Sequence, residues 1–230
     1  MHCTSAIRIT TCMICLVFLT ISAVGAEKAF DLPKPSYDGK VSVEAAMVRK
    51  NSVRSFKKKP LSLAEVSQML WAANGRLPPD AISGATRKVI PSAGGLYPLE
   101  VFLLAGKDTV ENLAAGVYQY RPTTHTLKMV EEGDKRKKLA SAAHGQMWLA
   151  GAPATIVIGG VFSRMTVKYR DRGVNYVLME AGNSNQNLFL QAESLGLQMG
   201  TIGAFRDERV SAAIKLPSNV NPLLLVPFGH

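Results

Sequence analysis

Ala154-Thr-Ile-Val-Ile158 is an unbroken apolar run rich in β-branched residues, and after a polar interval residues 176–195 carry apolar groups at helical spacing before stopping at Gly196. A strand with one wet face would alternate polar and apolar residues. An unbroken run fits a strand covered on both faces, and the long periodic segment behind it supplies a helix to cover one of them. Together they predict a sheet sandwiched between helices.

The flanking segments extend that pattern. Towards the C-terminus, Met199 to Phe205 reads as another strand, Asp207 opens a helix ending near Leu216, and Leu223-Leu-Leu-Val-Pro227 forms a last strand. On the N-terminal side, Leu99-Glu-Val-Phe-Leu-Leu104 is a strand bounded by Gly106. Val117-Tyr-Gln-Tyr120 and Leu127-Lys-Met-Val130 flank a Pro-Thr-Thr-His turn and read as a hairpin, and a short helix runs from Asp134 to about Ala143. Ser62-Leu-Ala-Glu65 is a capping box in front of Val66, Met69, Leu70 and Ala73, whose spacing gives one apolar face, and Gly75 ends that helix. A further helix ends near Asn51. Residues 76–98 form a loop rich in Pro, Gly and Ser, longer than compact domains ordinarily tolerate without a functional reason. With 47% hydrophobic residues the chain can bury a sizeable core. The order of elements, without repeat or linker, predicts one α+β domain.

The N-terminus stands apart from this domain. Residues 9–24 are mostly apolar, follow the lone Arg8, and end in Ala23-Val-Gly-Ala26, small residues that suit signal cleavage. The expected organisation is therefore a signal peptide over 1–26, an extended lead-in over 27–43, and the folded domain over 44–230. Export to the periplasm or the exterior follows, with no stable membrane insertion after cleavage. Cys3, Cys12 and Cys15 all lie inside the signal, so the mature chain would hold no thiol for disulfides, metal or nucleophilic catalysis, and no His, Asp or Glu spacing suggests a metal. The net charge of +10 falls to +9 without Arg8. Its densest runs, Lys57-Lys-Lys59 and Lys135-Arg-Lys-Lys138, lack interleaved aromatics, which argues for solvated faces and against nucleic acid. His144, near Gln146 and Trp148, reads as a partly buried, hydrogen-bonded helix residue.

Three segments suit a phosphorylated, flat ligand. Arg49-Lys-Asn-Ser-Val-Arg-Ser-Phe56 gathers cations, an amide and hydroxyls at a helix end, which could hold a phosphate or simply face water. Pro91-Ser-Ala-Gly-Gly-Leu-Tyr-Pro98 has glycines that allow close backbone approach and a serine hydroxyl beside them. Gly200-Thr-Ile-Gly-Ala-Phe205 is glycine-punctuated beside a strand, as either a ligand loop or a bulged strand would be.

In this order the three segments resemble the flavin-binding architecture of the nitroreductase superfamily over roughly residues 44–230. The SagB/ThcOx-type dehydrogenase branch is the most similar, through Leu61-Ser-Leu-Ala-Glu-Val-Ser-Gln-Met-Leu-Trp-Ala-Ala-Asn-Gly75, residues 91–100, Ala115-Gly-Val-Tyr118 and Met179-Glu-Ala-Gly-Asn-Ser-Asn-Gln-Asn187. The resemblance implies a nitroreductase-like fold, with a central, mostly antiparallel sheet flanked by helices, and FMN at a homodimer interface. It implies that Lys50, Asn51, Ser52 and Arg54 hold the phosphate and ribityl chain. Pro91, Ser92, Ala93 and Gly94 would lie beside the isoalloxazine, with Gly200, Ile202 and Gly203 on its other side.

The implied activity is two-electron transfer to or from a small molecule or peptide, with NAD(P)H as a candidate donor. Because nicotinamide is scarce outside the cytoplasm, an exported enzyme could draw on another source. In this branch a Lys-Tyr pair serves azoline oxidation, and Lys168-Tyr169 stands in the matching stretch; without the family it would read as an ordinary surface pair. The alternatives are an azoline peptide dehydrogenase and an exported flavin carrier that has lost catalysis. Three departures stand out: Asn183 where the branch usually has histidine, Lys50-Asn51 in place of a doubled arginine, and Pro227-Phe-Gly-His230 where the superfamily continues to a cationic residue, leaving His230 to stand in for it.

Overall fold

The computed structural model describes residues 29–79 and 87–230; the expected signal peptide and all three cysteines lie outside them. Seven strands form one sheet in the order β1-β4-β3-β2-β5-β7-β6, every neighbouring pair antiparallel. They are β1 (Ala29–Asp31), β2 (Leu99–Ala105), β3 (Gly116–Arg121), β4 (Thr126–Glu132), β5 (Ala154–Gly160), β6 (Gln198–Met199) and β7 (Asn221–Gly229). β5 lies between β2 and β7 and is buried throughout, as its unbroken apolar run requires.

The two-residue period of the strands sorts the core into two layers. On β2, Val101, Leu103 and Ala105 face one cluster with Ile156, Ile158 and Phe228. Phe102 and Leu104 face the other with Val157 and Leu225. The first layer is covered by α2 (Leu63–Asn74) and the 24-residue α6 (Arg172–Leu195), with α1 (Val43–Arg49) and α5 (Ser163–Tyr169) against α6. The second is covered by α3 (Arg136–Ala142), α4 (Trp148–Gly151) and α7 (Asp207–Ile214).

Local chemistry fixes the helix ends. The Ser62 hydroxyl accepts from the Glu65 amide at 3.2 Å while Glu65 Oε2 accepts from the Ser62 amide at 2.7 Å, so the capping box is complete. Gly196, at φ +67, closes α6 in the left-handed conformation that glycine adopts without a Cβ penalty.

Several expectations shift. The helix expected from 176 begins at Arg172, and α5 and α4 had no signal of their own. The lead-in contains β1 and gives Val43 to α1. The strand expected over 199–205 is only Gln198–Met199, after which Ile202 alone bridges Leu225. His144 is exposed, in a turn at φ +53 between α3 and α4, and is not a partly buried helix residue. The long loop is pinned at its root, where Leu77 N–H donates to Arg87 at 2.8 Å and Val89 N–H to Gly75 at 3.0 Å.

Candidate active site

Lys168 and Tyr169 end α5, immediately before Arg170, which sits at φ +50, a conformation costly for any residue that carries a Cβ. The reversal there is tight because Gly173 at the start of α6 packs on the Met165 backbone, where a Cβ would lie 2.8 Å from the carbonyl carbon. Tyr169 is fixed by an edge-to-face contact with Tyr176 on α6, the centroids 5.1 Å apart. Both side chains reach the 91–98 turn. A Cβ built on Gly94 would lie 2.6 Å from Tyr169 Oη and 2.9 Å from Lys168 Nζ, and Gly94 stands at φ +63. Glycine is thus required twice at this position, by space and by backbone conformation.

The turn is held by a network of polar groups. The Ser92 hydroxyl accepts from the Tyr97 amide at 2.9 Å, which helps to hold Tyr97 at φ +47. Arg164 on α5 donates to the Tyr97 carbonyl at 3.1 Å and pairs with Glu100. Beneath the turn, Lys88 Nζ donates to Asn74 Oδ1 at 3.0 Å and lies 5.0 Å from the Tyr97 ring centroid. Glu180, on the inner face of α6, is 2% exposed and lies within reach of the Ser92 hydroxyl. Burial raises its carboxyl to about 7, against the pull of Ser92 and the Lys88 charge. Burial lowers the Lys88 ammonium to about 8, opposed by Glu100 and Glu180.

A second cluster forms where residues 50–54 meet 199–203. Val53 N–H donates to the Met199 carbonyl at 2.9 Å, and a Cβ on Gly200 would lie 2.6 Å from the Val53 carbonyl oxygen. Lys50, Asn51, Ser52 and Arg54 are exposed around this junction. Lys50 Nζ lies 5.5 Å from the Phe189 ring and the Arg54 guanidinium 6.0 Å from Trp148. The cations follow the C-terminal end of α1, whose dipole attracts cations, so an anion here would depend on side-chain charge and not on the helix. Thr201 Oγ1 donates to Asn185 Oδ1 at 2.8 Å, tying the second glycine segment to α6. Ile202 is buried and Gly203 exposed. His230 turns its ring towards Glu65, 3.5 Å away.

The nitroreductase family model matches residues 47–230. The chain belongs to the nitroreductase family. A Methanocaldococcus jannaschii protein named as a nitroreductase, MJ1384, is 37% identical over 190 residues, covering 83% of this chain and 91% of that protein. The Escherichia coli microcin B17-processing protein McbC is 33% identical over 176 residues, 75% of this chain but only 63% of McbC. The crystal structure of a Ralstonia eutropha protein named as a nitroreductase superposes with a TM-score of 0.74 at 25% identity, covering 90% and 92% of the two chains. MJ1384 and the Ralstonia protein carry nitroreductase names, and McbC marks the SagB-like branch.

Within this nitroreductase chain the expected residues thus fall into two clusters, one around Gly94 and one around Gly200. A cavity of about 710 Å³ lies elsewhere, between the lead-in, α2 and the end of α6, lined by Tyr37, Gln68, Trp71 and Gln191 among others. None of the expected site residues borders it. Asn74, Lys88, Arg164 and Glu180 carry the polar framework of the Gly94 cluster, yet sequence reading gave them no role. A signal existed for Glu180: it falls on the buried stripe Val177, Ala181, Ser184 and Leu188 of α6, an acid where the period demands an apolar group. Among the described residues no group of three metal-binding side chains converges, and no helix is long and apolar enough to cross a membrane.

Proposed function

We propose that the chain is an FMN-dependent oxidoreductase that moves two electrons as hydride, with the Gly94 turn, Lys168 and Tyr169 at the reacting end of the flavin. The convergence of Lys168 Nζ and Tyr169 Oη on the place where Gly94 lacks a Cβ carries this reading. The groups present fit the cofactor: exposed cations, an amide and a hydroxyl at Lys50, Asn51, Ser52 and Arg54 suit the phosphate and ribityl chain. Exposed Pro91 and Gly94, with half-buried Ser92 and Ala93 between them, and exposed Gly203 suit a flat ring, whereas Gly200 is packed against Val53 and Trp148 and Ile202 is buried. When bound, FMN supplies the redox chemistry; the protein supplies position and electrostatics. The absorption spectrum of the purified protein, followed by anaerobic reduction with NAD(P)H and other donors, tests both the cofactor and the donor. A colourless protein that takes up no FMN would end this reading.

A homodimer is part of the proposal. Val174, Leu178 and Met179 on α6 are 39–54% exposed, and Val167 at the end of α5 is 88% exposed, so an apolar stripe flanks Tyr169 and Glu180. A second copy laid on that stripe would bury it and close over a site that is open surface on one chain.

Azoline dehydrogenation is the favoured substrate chemistry, since Lys168 can take the proton that leaves with the hydride and since McbC is named for microcin B17 processing. Removing Arg54 is expected to weaken FMN retention by about 10- to 100-fold, the loss of one charge-assisted phosphate bond. Equilibrium dialysis against FMN measures it, and an unchanged affinity in folded Arg54→Ala would move the phosphate away from residues 50–54. Export is likewise proposed, from residues 1–26. Mass spectrometry of the mature protein is expected to show a first residue near Glu27; an intact Met1 on a membrane-held form would replace cleavage with anchoring.

A further inference from the structure

Glu180 is the one buried carboxylate of the Gly94 cluster. It is 2% exposed, Oε1 has no hydrogen-bond partner, and the Ser92 hydroxyl of the turn is the polar side chain that acts on it beside Lys88. An orphaned charged oxygen is costly to bury unless something is gained from its protonation. Lys88 stands close enough to act on it, and Lys88 in turn feels Glu100, Arg164 and Arg76. Lys168 and Tyr169 lie against Gly94 of the same turn. The carboxylate is therefore enclosed between one compensating lysine and the backbone turn that borders the site.

We propose that Glu180 is a proton-holding positioning residue of the redox site, which takes up one proton through the Ser92 turn when negative charge arrives on a flavin lying against that turn. The inference rests on the FMN reading above. Hydride transfer delivers two electrons and one proton, leaving the ring one unit more negative. One solvent proton, bonding to a Glu180 carboxylate oxygen, removes one negative charge from the other side of the turn, and no other bond changes. The event also reorients Ser92. While Glu180 is ionised, the serine O–H can donate to it as the serine oxygen accepts from Tyr97. Once Glu180 is protonated, its own O–H can donate to Ser92 Oγ, and the serine proton is free to turn towards the ligand.

The test is the midpoint potential of the FMN-loaded protein as a function of pH, from about pH 6 to about pH 9. One further proton per two electrons adds about 30 mV per pH unit to the slope, since tenfold in a two-electron equilibrium is about 30 mV. Wild type is expected to show this steeper slope above neutral pH, and Glu180→Gln, nearly isosteric, to lack it. Lys88→Met removes the cation that favours ionised Glu180 and should move the steep region to higher pH. In the flavin-free protein, infrared difference spectra across the same range should show a carboxylic-acid band that Glu180→Gln abolishes. Identical slopes in wild type and Glu180→Gln, with FMN bound in both, would overturn the proposal while leaving the flavin assignment intact. Absence of FMN binding in wild type would remove both.

Discussion

Lys168→Ala and Tyr169→Phe are each expected to slow dehydrogenation of an azoline-bearing substrate by about 100- to 10,000-fold while leaving FMN content unchanged, the loss associated with removing a positioned proton acceptor. Azoline oxidation takes a hydride from one carbon and a proton from its neighbour, so a base is needed on the side away from the flavin. Hydride passing from a nicotinamide to the ring needs none. Both side chains stand at the end of α5, held by the Tyr169–Tyr176 contact and by the reversal at Arg170. Neither belongs to the 50–54 cluster, so cofactor retention should not follow their loss. Stopped-flow reduction by substrate, beside reduction by dithionite, separates the two steps. Full substrate turnover in both variants would return Lys168 and Tyr169 to the status of a surface pair, with the chain acting as a donor-to-acceptor shuttle.

What could be read from the sequence follows the strength of local signals. α2 announced itself by a capping box and a terminal glycine, β5 by an unbroken apolar run, and the β3–β4 hairpin by its turn. α5 did not, because Ser163–Tyr169 buries only Met165, and seven residues with one buried side chain leave no period to detect. The strand expected after Met199 fails for a tertiary reason: Gly200 spends its N–H on Pro227 and its open side on Val53 and Trp148, and only Ile202 reaches β7 again. His144 was misjudged because Ala142 and Ala143 carry the burial of that segment, leaving His144 and Gly145 to form the turn.

The same limit applies to the candidate site. Gly94 and Lys168-Tyr169 were legible as separate motifs, but their contact joins residues more than seventy positions apart, and only the fold supplies it. Lys88 and Glu180 were invisible as a pair for that reason. Each is a single charge in its own segment, and the significance of either depends on the charge of the half-buried lysine reaching the buried carboxylate.

Gly200→Val and Gly203→Ala should separate the structural glycine of the second cluster from the one with open space. At Gly200 a Cβ would meet the Val53 carbonyl oxygen at 2.6 Å and the Trp148 ring at 2.8 and 2.9 Å, while the Gly200 amide already donates to Pro227 at 3.0 Å. The backbone oxygen cannot swing aside as a side chain could, and β7 blocks retreat. Valine must therefore push the 50–54 segment away from the sheet, at a cost of about 3 kcal/mol, the upper part of the range for overpacking. For a chain of this size that lowers Tm by about 6–12 °C. The displacement also carries Ser52 and Arg54 out of register, so FMN retention should fall further than in Arg54→Ala alone. At Gly203 the nearest atom to a Cβ is Leu224 Cδ2 at 3.9 Å, an ordinary contact, and alanine should leave Tm without FMN unchanged, so that a loss of FMN affinity there reports the added methyl facing the ring. Thermal unfolding with and without FMN checks the pair; equal effects at the two glycines would mean that the junction between residues 53 and 200 does not organise the second cluster.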